Sequence, residues 1–411
     1  MTIQLLIAAA LAALVYSLLS RRLAGWPVTG PMIFLLLGWA LSHRSGFDPH
    51  AAEPTLDVLA EVTLVIVLFA DAAMIDGAQV RRLHIWPARM LVIGLPLAML
   101  IGVLPGMALL SGWSIWEIAL IAAILAPTDA ALGQAVVTNA AVPGRVQRAL
   151  VVESGLNDGF ALPVVLMLGC IAVGGQHDFA QSNWAVFAGQ QIGFGLLAGA
   201  LIGGLGGVAL GWARKAGLSL APLEGVAVLA VAGLCFLGAH ALGGNGFLSA
   251  FVGGMAYRAT LGSPPEYLME FMETEGALLV MATFLLAGIV LVPEALEHAS
   301  LAHVALVLVS LLAVRPLAIW LSLGRTDAPA SARLFMGWFG PRGLATLLFA
   351  LMIVGDLPAL NHGEEILMIA TLAVFVSTVL HGISAAPFAR WFGAELLGKR
   401  TGQGQFEGQK E

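Results

Sequence analysis

Long apolar runs, separated by short polar breaks, follow one another along almost the whole chain. Thirteen such segments, over approximately residues 3–20, 27–43, 56–75, 88–111, 115–139, 148–174, 184–213, 222–242, 246–260, 276–293, 301–323, 332–355 and 365–392, approach or exceed the about 20 helical residues that cross a hydrocarbon core. Each reads as a helix, because in lipid the backbone must pair its polar groups within its own segment. The ninth is short, and Gly243-Gly244-Asn245-Gly246 is a thin boundary before it. The seventh carries Gly195, Gly199, Gly203, Gly207 and Gly211 on one helix face, which predicts a close helix-packing seam. Two segments are interrupted from within, the fifth by Pro127-Thr128-Asp129 and the twelfth by Gly340-Pro341-Arg342-Gly343. Proline removes a helix hydrogen bond, and broken helices at matching places in two halves point to a transport site near mid-membrane. The two breaks lie seven segments apart. An odd offset reverses orientation, so segments 1–6 and 8–13 are expected to form an inverted repeat.

Composition agrees: of 411 residues 59% are hydrophobic and 11% charged, against roughly 25% charged in soluble domains. The first segment has Arg21-Arg22 after it and no basic region before it, the wrong polarity for a cleaved signal. With the N-terminus outside, inner loops and inner ends hold Arg21, Arg22, Arg81, Arg82, Arg89, Arg145, Arg148, Arg214, Lys215, Arg258, Arg325, Arg333, Arg390, Lys399, Arg400 and Lys410. Of the 19 basic residues that leaves only Arg44 outside, with Arg315 and Arg342 within segments. Asp48, Glu53, Asp178, Glu294, Glu297, Asp356, Glu364 and Glu365 fall on outer loops or their edges. This bias sets the C-terminus inside and expects a multi-pass protein of the cell (inner) membrane. Residues 394–411 form a short polar cytoplasmic tail. Cys170 and Cys235 sit in apolar stretches and read as small buried residues.

The informative residues are ionisable groups inside segments: Asp71, Asp129, Glu153, Asp158, Arg315 and Arg342. Unpaired, these would together cost roughly 15–20 kcal/mol on insertion scales, more than the about 5–15 kcal/mol margin of folding. They must pair, bind ions or line water. In Glu153-Ser154-Gly155-Leu156-Asn157-Asp158, Ser154 and Asp158 share a helix face, as do Glu153 and Asn157. A hydroxyl, an amide oxygen and a carboxylate within a turn and a half suit a hard monovalent cation.

Ala126-Pro127-Thr128-Asp129, Glu153-Ser154-x-x-Asn157-Asp158, Arg315 and Gly340-Pro341-Arg342-Gly343 together resemble the monovalent cation:proton antiporter-1 family, the NhaP-type and NHE-like sodium/proton exchangers. The resemblance runs in order over essentially the whole chain. It implies an all-α polytopic membrane protein of about 13 transmembrane helices, with inverted six-helix repeats and two unwound crossing helices. Residues 1–393 would form the transmembrane antiporter domain, with core spans 4–6 and 11–13 and dimer-domain spans 1–3 and 7–10. Asp158 would bind cation or proton, with Thr128 (through its carbonyl), Ser154 and Asp129 helping to coordinate the ion. Asn157 stands where electrogenic relatives have a second aspartate, which implies electroneutral one-for-one exchange. Glu153 would form a buried structural pair with Arg315, and Arg342 would steady the crossing backbone and Asn157. Asp71 departs from the pattern and is a candidate funnel acid. Membrane lipid and a second copy of the chain, as a homodimer, are the implied partners, with no nucleic acid, no cofactor and no enzymatic activity.

The implied mechanism is simple. Desolvation raises a carboxylate's pKa and a nearby cation lowers it, so one poised carboxylate can release a proton when a cation binds. Sodium is the first reading for that cation; potassium is the alternative. An intramembrane aspartyl protease would also use two membrane aspartates, but its Gly-x-Gly-Asp signature is absent, as is the zinc motif His-Glu-x-x-His. A passive channel would lack the need for titratable groups, and a bile-acid-type symporter would lack the Glu153 and Arg315 pairing.

Overall fold

A computed structural model describes residues 3–23, 28–43, 52–74, 85–129, 132, 141–173 and 184–407. Arg44, Asp48, Arg81, Arg82, Asp178 and Lys410, on which part of the expected orientation rests, lie outside these, as do 130, 131 and 133–139 of the fifth segment. The described chain is helical throughout, without a strand. In chain order the helices are α1 (Ile3–Leu23), α2 (Gly30–Ser42), α3 (Glu53–Met74), α4 (Ile85–Leu109), α5 (Ile115–Ile124), α6 (Gly144–Val173), α7 (Trp184–Lys215), α8 (Ala221–Ala241), α9 (Gly246–Leu261), α10 (Glu266–His298), α11 (Leu301–Ser322), α12 (Ala330–Trp338), α13 (Leu344–Asp356) and α14 (Gly363–Glu407). Seven of them (α4, α6, α7, α8, α10, α11 and α14) are long and apolar enough to cross a membrane, and α2, α5 and α13 are shorter apolar helices. Their outward faces carry large exposed apolar side chains such as Leu197, Leu201 and Leu205 on α7. This is a multi-pass integral membrane protein.

Local chemistry starts the helices where the polar breaks predict. Ser114 caps α5 by accepting from Glu117 N while the Glu117 carboxylate reaches back to Ser114 N, a reciprocal capping box. Asn245 caps α9, its Oδ1 taking the Leu248 amide at 2.8 Å. That glycine-flanked asparagine is the thin boundary before the short ninth segment.

Two helices differ in length from the hydropathy reading. α10 begins at Glu266, ten residues before the apolar run, because Glu266–Glu275 continue the helix past its apolar part. α14 runs on to Glu407, through the expected start of the tail at residue 394, so no helix end marks that boundary.

α4 and α11 each contain a π-helical turn, Met90–Gly94 and Ser310–Val314. Each turn is followed by a residue and then a proline, Leu95-Pro96 and Arg315-Pro316. The proline ring crowds the carbonyl four residues back, and a wider turn relieves it: Leu95 N–H reaches Met90 O and Arg315 N–H reaches Ser310 O.

The glycine seam of α7 lies along α9. A Cβ at Gly203 would stand 2.2 Å from the Gly253 carbonyl oxygen, and one at Gly199 would stand 2.4 Å from that of Ser249. The backbones touch, and only glycine permits it. Gly203→Ala is therefore expected to destabilise the protein by about 1–3 kcal/mol. Gly211→Ala, whose Cβ would meet nothing nearer than Leu261 Cδ1 at 3.6 Å, is expected to be neutral. Thermal melting of the two variants in detergent checks the contrast.

α7, α8, α9, α3, α10 and α2 pack on one another, and α4, α5, α6, α11, α12, α13 and α14 supply the surroundings of the breaks. A separate apolar cluster (Trp86, Met90, Leu150, Leu323, Phe335, Phe392 and others) draws only on the latter group and its connections. Polar contacts tie this cluster to the 324–329 turn. The Arg145 guanidinium lies 3.9 Å from the centre of the Trp86 ring and donates to Asp327 at 2.6 and 3.0 Å, while Trp86 Nε1–H donates to Asp327 at 2.7 Å. The Arg145 bonds, and secondarily the Trp86 bond, hold the Asp327 carboxyl below its ordinary range. A depressed carboxyl pKa means this tie contributes above the unfolded value of about 4 and is lost as pH falls through the folded one. Asp327→Asn is accordingly expected to melt below the wild type at neutral pH, with the gap closing as the pH drops under about 4.

Candidate functional site

The chain leaves helical geometry after α5 and again between α12 and α13, at 125–129 and 339–343. These two extended stretches meet. Asp129 N–H donates to the Pro341 carbonyl at 2.9 Å, and each stretch sends a side chain to cap a helix end of the other. The Asp129 carboxylate accepts from Leu344 N–H at 2.9 Å, at the first residue of α13. The Arg342 guanidinium donates to the carbonyls of Leu125, at the end of α5, and of Gly340. A carboxylate thus faces the positive end of one half-helix and a guanidinium the negative end of another. Unsatisfied helix ends would be costly in so buried a setting. The exchange of caps accounts for a buried arginine, 1% exposed, with carbonyls rather than a carboxylate as partners.

Two glycines make room for the crossing. A Cβ at Gly343 would fall 1.9 Å from Asp129 Oδ2, and one at Gly340 would fall 1.5 Å from Arg315 Nε. These positions are where the Gly-Pro-Arg-Gly motif needs its glycines, for close approach and not for backbone conformation.

α6 passes beside the first break. Ser154 Oγ donates to the Thr128 carbonyl at 2.6 Å, and Asn157 Nδ2 donates to Thr128 Oγ1 at 2.7 Å. Two longer contacts, Thr128 Oγ1 and Asn157 Nδ2 each 3.4 Å from a Glu153 oxygen, complete the set. Glu153 and Arg315 form a two-pronged pair, Nη1 to Oε1 and Nη2 to Oε2, both at 3.0 Å, with both residues buried. Such planar fork geometry is the strongest form of the contact. Asn157 spends its amide hydrogens on Thr128 and Glu153, while Arg342 works on backbone carbonyls.

Asp158, one residue on, is different. Its Oδ1 and the neighbouring Asn157 Oδ1 are sheltered from solvent and accept no hydrogen bond among the described residues. A buried acceptor left unpaired costs about 1–3 kcal/mol. Asp129, Asp71 and Glu153 all act electrostatically on Asp158, and Glu153 is clamped by Arg315. Asp71, half-buried on α3, is within electrostatic reach of Asp129 and of Glu273 on α10, an exposed acid. Yet no three His, Cys, Asp or Glu side chains come close enough among the described residues to hold a metal ion as a cluster. The oxygens gathered where α6 meets the first break, the Thr128 carbonyl and hydroxyl, the Ser154 hydroxyl and the Asn157 amide, are neutral, which suits a singly charged ion. Gly159 lies directly under the Phe251 ring of α9, where a Cβ would come within 2.7 Å, so an apolar wall stands next to Asp158.

Sequence reasoning did not single out Ser377 and His381 of α14, both buried and bonded to the second break. The available signal was a histidine and a serine four apart within an apolar run.

Comparison with known proteins bears on the whole arrangement. The chain is similar to the K(+)/H(+) antiporter NhaP of Alkalimonas amylolytica, 29% identical over 410 residues that cover 94% of this chain and 66% of that protein. It is similar to the same degree, 29%, to the K(+)/H(+) antiporter NhaP2 of Shewanella sp. strain ANA-3, over 95% of this chain and 67% of the relative. The chain thus spans about two thirds of the length of these relatives. In fold it superposes on the sodium proton antiporter MjNhaP1 of Methanocaldococcus jannaschii at pH 8 with a TM-score of 0.76 and 17% identity, over 92% of this chain and 98% of that one. The family of transmembrane sodium/hydrogen exchangers matches residues 7–391, and with the crossing at its centre the chain belongs to that family.

Proposed function

We propose that this chain is a secondary antiporter that exchanges protons for sodium or another monovalent cation, with Asp158 binding cation and proton in turn. The observation that carries this reading is the pair of sheltered, unpartnered oxygens of Asn157 and Asp158 beside two mutually capped helix breaks. Thr128, Ser154 and Asp129 are the further oxygen donors, and Asn157 ties the first break to α6. Glu153, Arg315 and Arg342 hold the frame, and Asp71 serves as an acid on the approach. One carboxylate that trades one proton for one cation carries the same charge in both loaded states. With a neutral amide at Asn157 the exchange is electroneutral. Potassium is the second reading, favoured by the names of the curated relatives.

The matched π turns of α4 and α11 and the matched breaks support thirteen spans in two inverted six-span repeats. The packing groups support a core of spans 4–6 and 11–13 that moves against spans 1–3 and 7–10. We assign the chain to the cell (inner) membrane with the N-terminus outside, the C-terminus and the 394–411 tail inside, as a homodimer embedded in lipid. It needs no cofactor and no nucleic acid.

The test uses purified protein in liposomes, with an internal pH dye and pulses of lithium, sodium, potassium and rubidium. The expected result is cation-driven alkalinisation or acidification that is unaffected by collapsing the membrane potential and is accompanied by no net current. Cation flux with large currents and no coupled pH change would mean a channel and overturn the reading.

A further inference from the structure

Unwinding a helix strands the donor and acceptor that the lost turn would have joined. In a continuous helix the Arg342 N–H would donate to the carbonyl four residues back, that of Trp338. Residues 339–343 are not helical, and the Arg342 N–H instead donates to Ser377 Oγ at 2.7 Å. Ser377 Oγ is 3.0 Å from His381 Nδ1, and His381 Nε2 is 3.0 Å from the Trp338 carbonyl oxygen, whose other lone pair takes the Gly340 N–H at 2.9 Å. The two ends of the missing bond are thus joined through two side chains of α14, one helical turn apart. Both residues are buried, at 0% and 3% exposure.

The hydrogens give this chain a direction when the ring is neutral. The Trp338 carbonyl can only accept, so Nε2 carries the ring proton. In the neutral ring Nδ1 is then an acceptor for the Ser377 hydroxyl hydrogen, which leaves a Ser377 lone pair for the Arg342 N–H. Each hydrogen is used once. The opposite tautomer would set the Nε2 lone pair against the Trp338 oxygen. Its Nδ1–H would turn to the Ser377 carbonyl, also 3.0 Å away, and the Ser377 hydroxyl would lose its acceptor on the ring.

We propose that Ser377 and His381 are positioning residues: their relay stands in for the interrupted backbone bond and holds the second break open at the register the cation site requires. The link to the site is short. Fixing Arg342 fixes Pro341, whose carbonyl takes the Asp129 amide, and Leu344, whose amide takes the Asp129 carboxylate. Neither Ser377 nor His381 touches Asp158, so loss of the relay should act on apparent cation affinity before it acts on maximal rate. This consequence rests on the antiport reading; the relay itself does not.

The experiment compares Ser377→Ala, His381→Phe, the double variant and His381→Gln in liposome exchange, with hydrogen–deuterium exchange over 339–344 as a transport-independent readout. Expected are a several-fold rise in apparent KM for Ser377→Ala and for His381→Phe with the maximal rate nearly kept, and faster amide exchange at Arg342. The double variant should be no worse than either of these, since a relay broken at one link is broken entirely. The side-chain amide introduced by His381→Gln offers both an acceptor and a donor, so this variant is expected to restore part of the affinity. Unchanged amide exchange in Ser377→Ala overturns the relay. Faster amide exchange with unchanged KM in a transporting protein overturns the positioning role. Effects that multiply in the double variant overturn the single-unit reading. If His381→Phe fails to fold, Ser377→Ala, which removes one oxygen, supplies the same readouts. Absence of exchange in the wild type itself would count against the antiport reading, not against the relay.

Discussion

Asp158→Asn is expected to bring cation-driven proton exchange in liposomes to the level of empty vesicles while leaving the protein folded. The amide keeps the shape of the carboxylate but can neither take up a proton nor balance a cation at any working pH. No hydrogen bond that ties α6 to the first break passes through Asp158: Ser154 holds the Thr128 carbonyl and Asn157 holds the Thr128 hydroxyl. The variant should therefore melt near the wild type, or above it, since an uncompensated acid has been removed from among Asp71, Asp129 and Glu153. Addition of cation that still dequenches a pH dye in Asp158→Asn vesicles would show that exchange runs through another group. Asp158→Glu keeps the charge but lengthens the arm by one methylene, and is expected to retain exchange at a raised apparent KM.

That the candidate acids stand out from the sequence alone follows from energetics. An ionised side chain in an apolar run is expensive enough to demand a reason, so Asp71, Asp129, Glu153, Asp158, Arg315 and Arg342 stand out unaided. The helical segments are legible for a related reason: in lipid the apolar run and the helix nearly coincide. Where they separate, hydropathy does not mark the helix ends. The polar turns Glu266–Glu275 extend α10 beyond its apolar part. Likewise α14 continues as a helix through 394, where the composition turns polar.

What pairs across the fold was the least legible. Asp129 reads as a cation ligand from the sequence, and in the fold its carboxylate caps α13, because Gly343 lets it approach. Arg342 reads as steadying the crossing backbone and Asn157; it satisfies two carbonyls of that backbone, while the Asn157 amide goes to Thr128 and Glu153. A break in a helix advertises itself through proline and glycine. The groups that mend it come from a distant part of the chain and carry no local signature.

Removing either partner of the Glu153–Arg315 pair is expected to do more damage to folding than any other single substitution at the site. Arg315→Leu leaves the Glu153 carboxylate, 2% exposed, with only the long contacts from Thr128 and Asn157. Breaking one side of a buried pair typically costs about 3–5 kcal/mol, because the remaining charge stays desolvated. Glu153→Leu strands the guanidinium instead and is expected to cost as much. The Arg315 side chain also fills the space against Gly340, so its loss opens a gap beside the second break. The double variant Glu153→Leu/Arg315→Leu carries no stranded charge and is expected to melt above both single variants. Thermal melting across the four proteins gives the coupling energy directly. If the pair is structural, the double variant also retains exchange, since Asp158 and the Ser154 and Thr128 oxygens are untouched. A folded double variant with no exchange would instead place Glu153 in the proton chemistry, and the frame and the site would have to be redrawn as one unit.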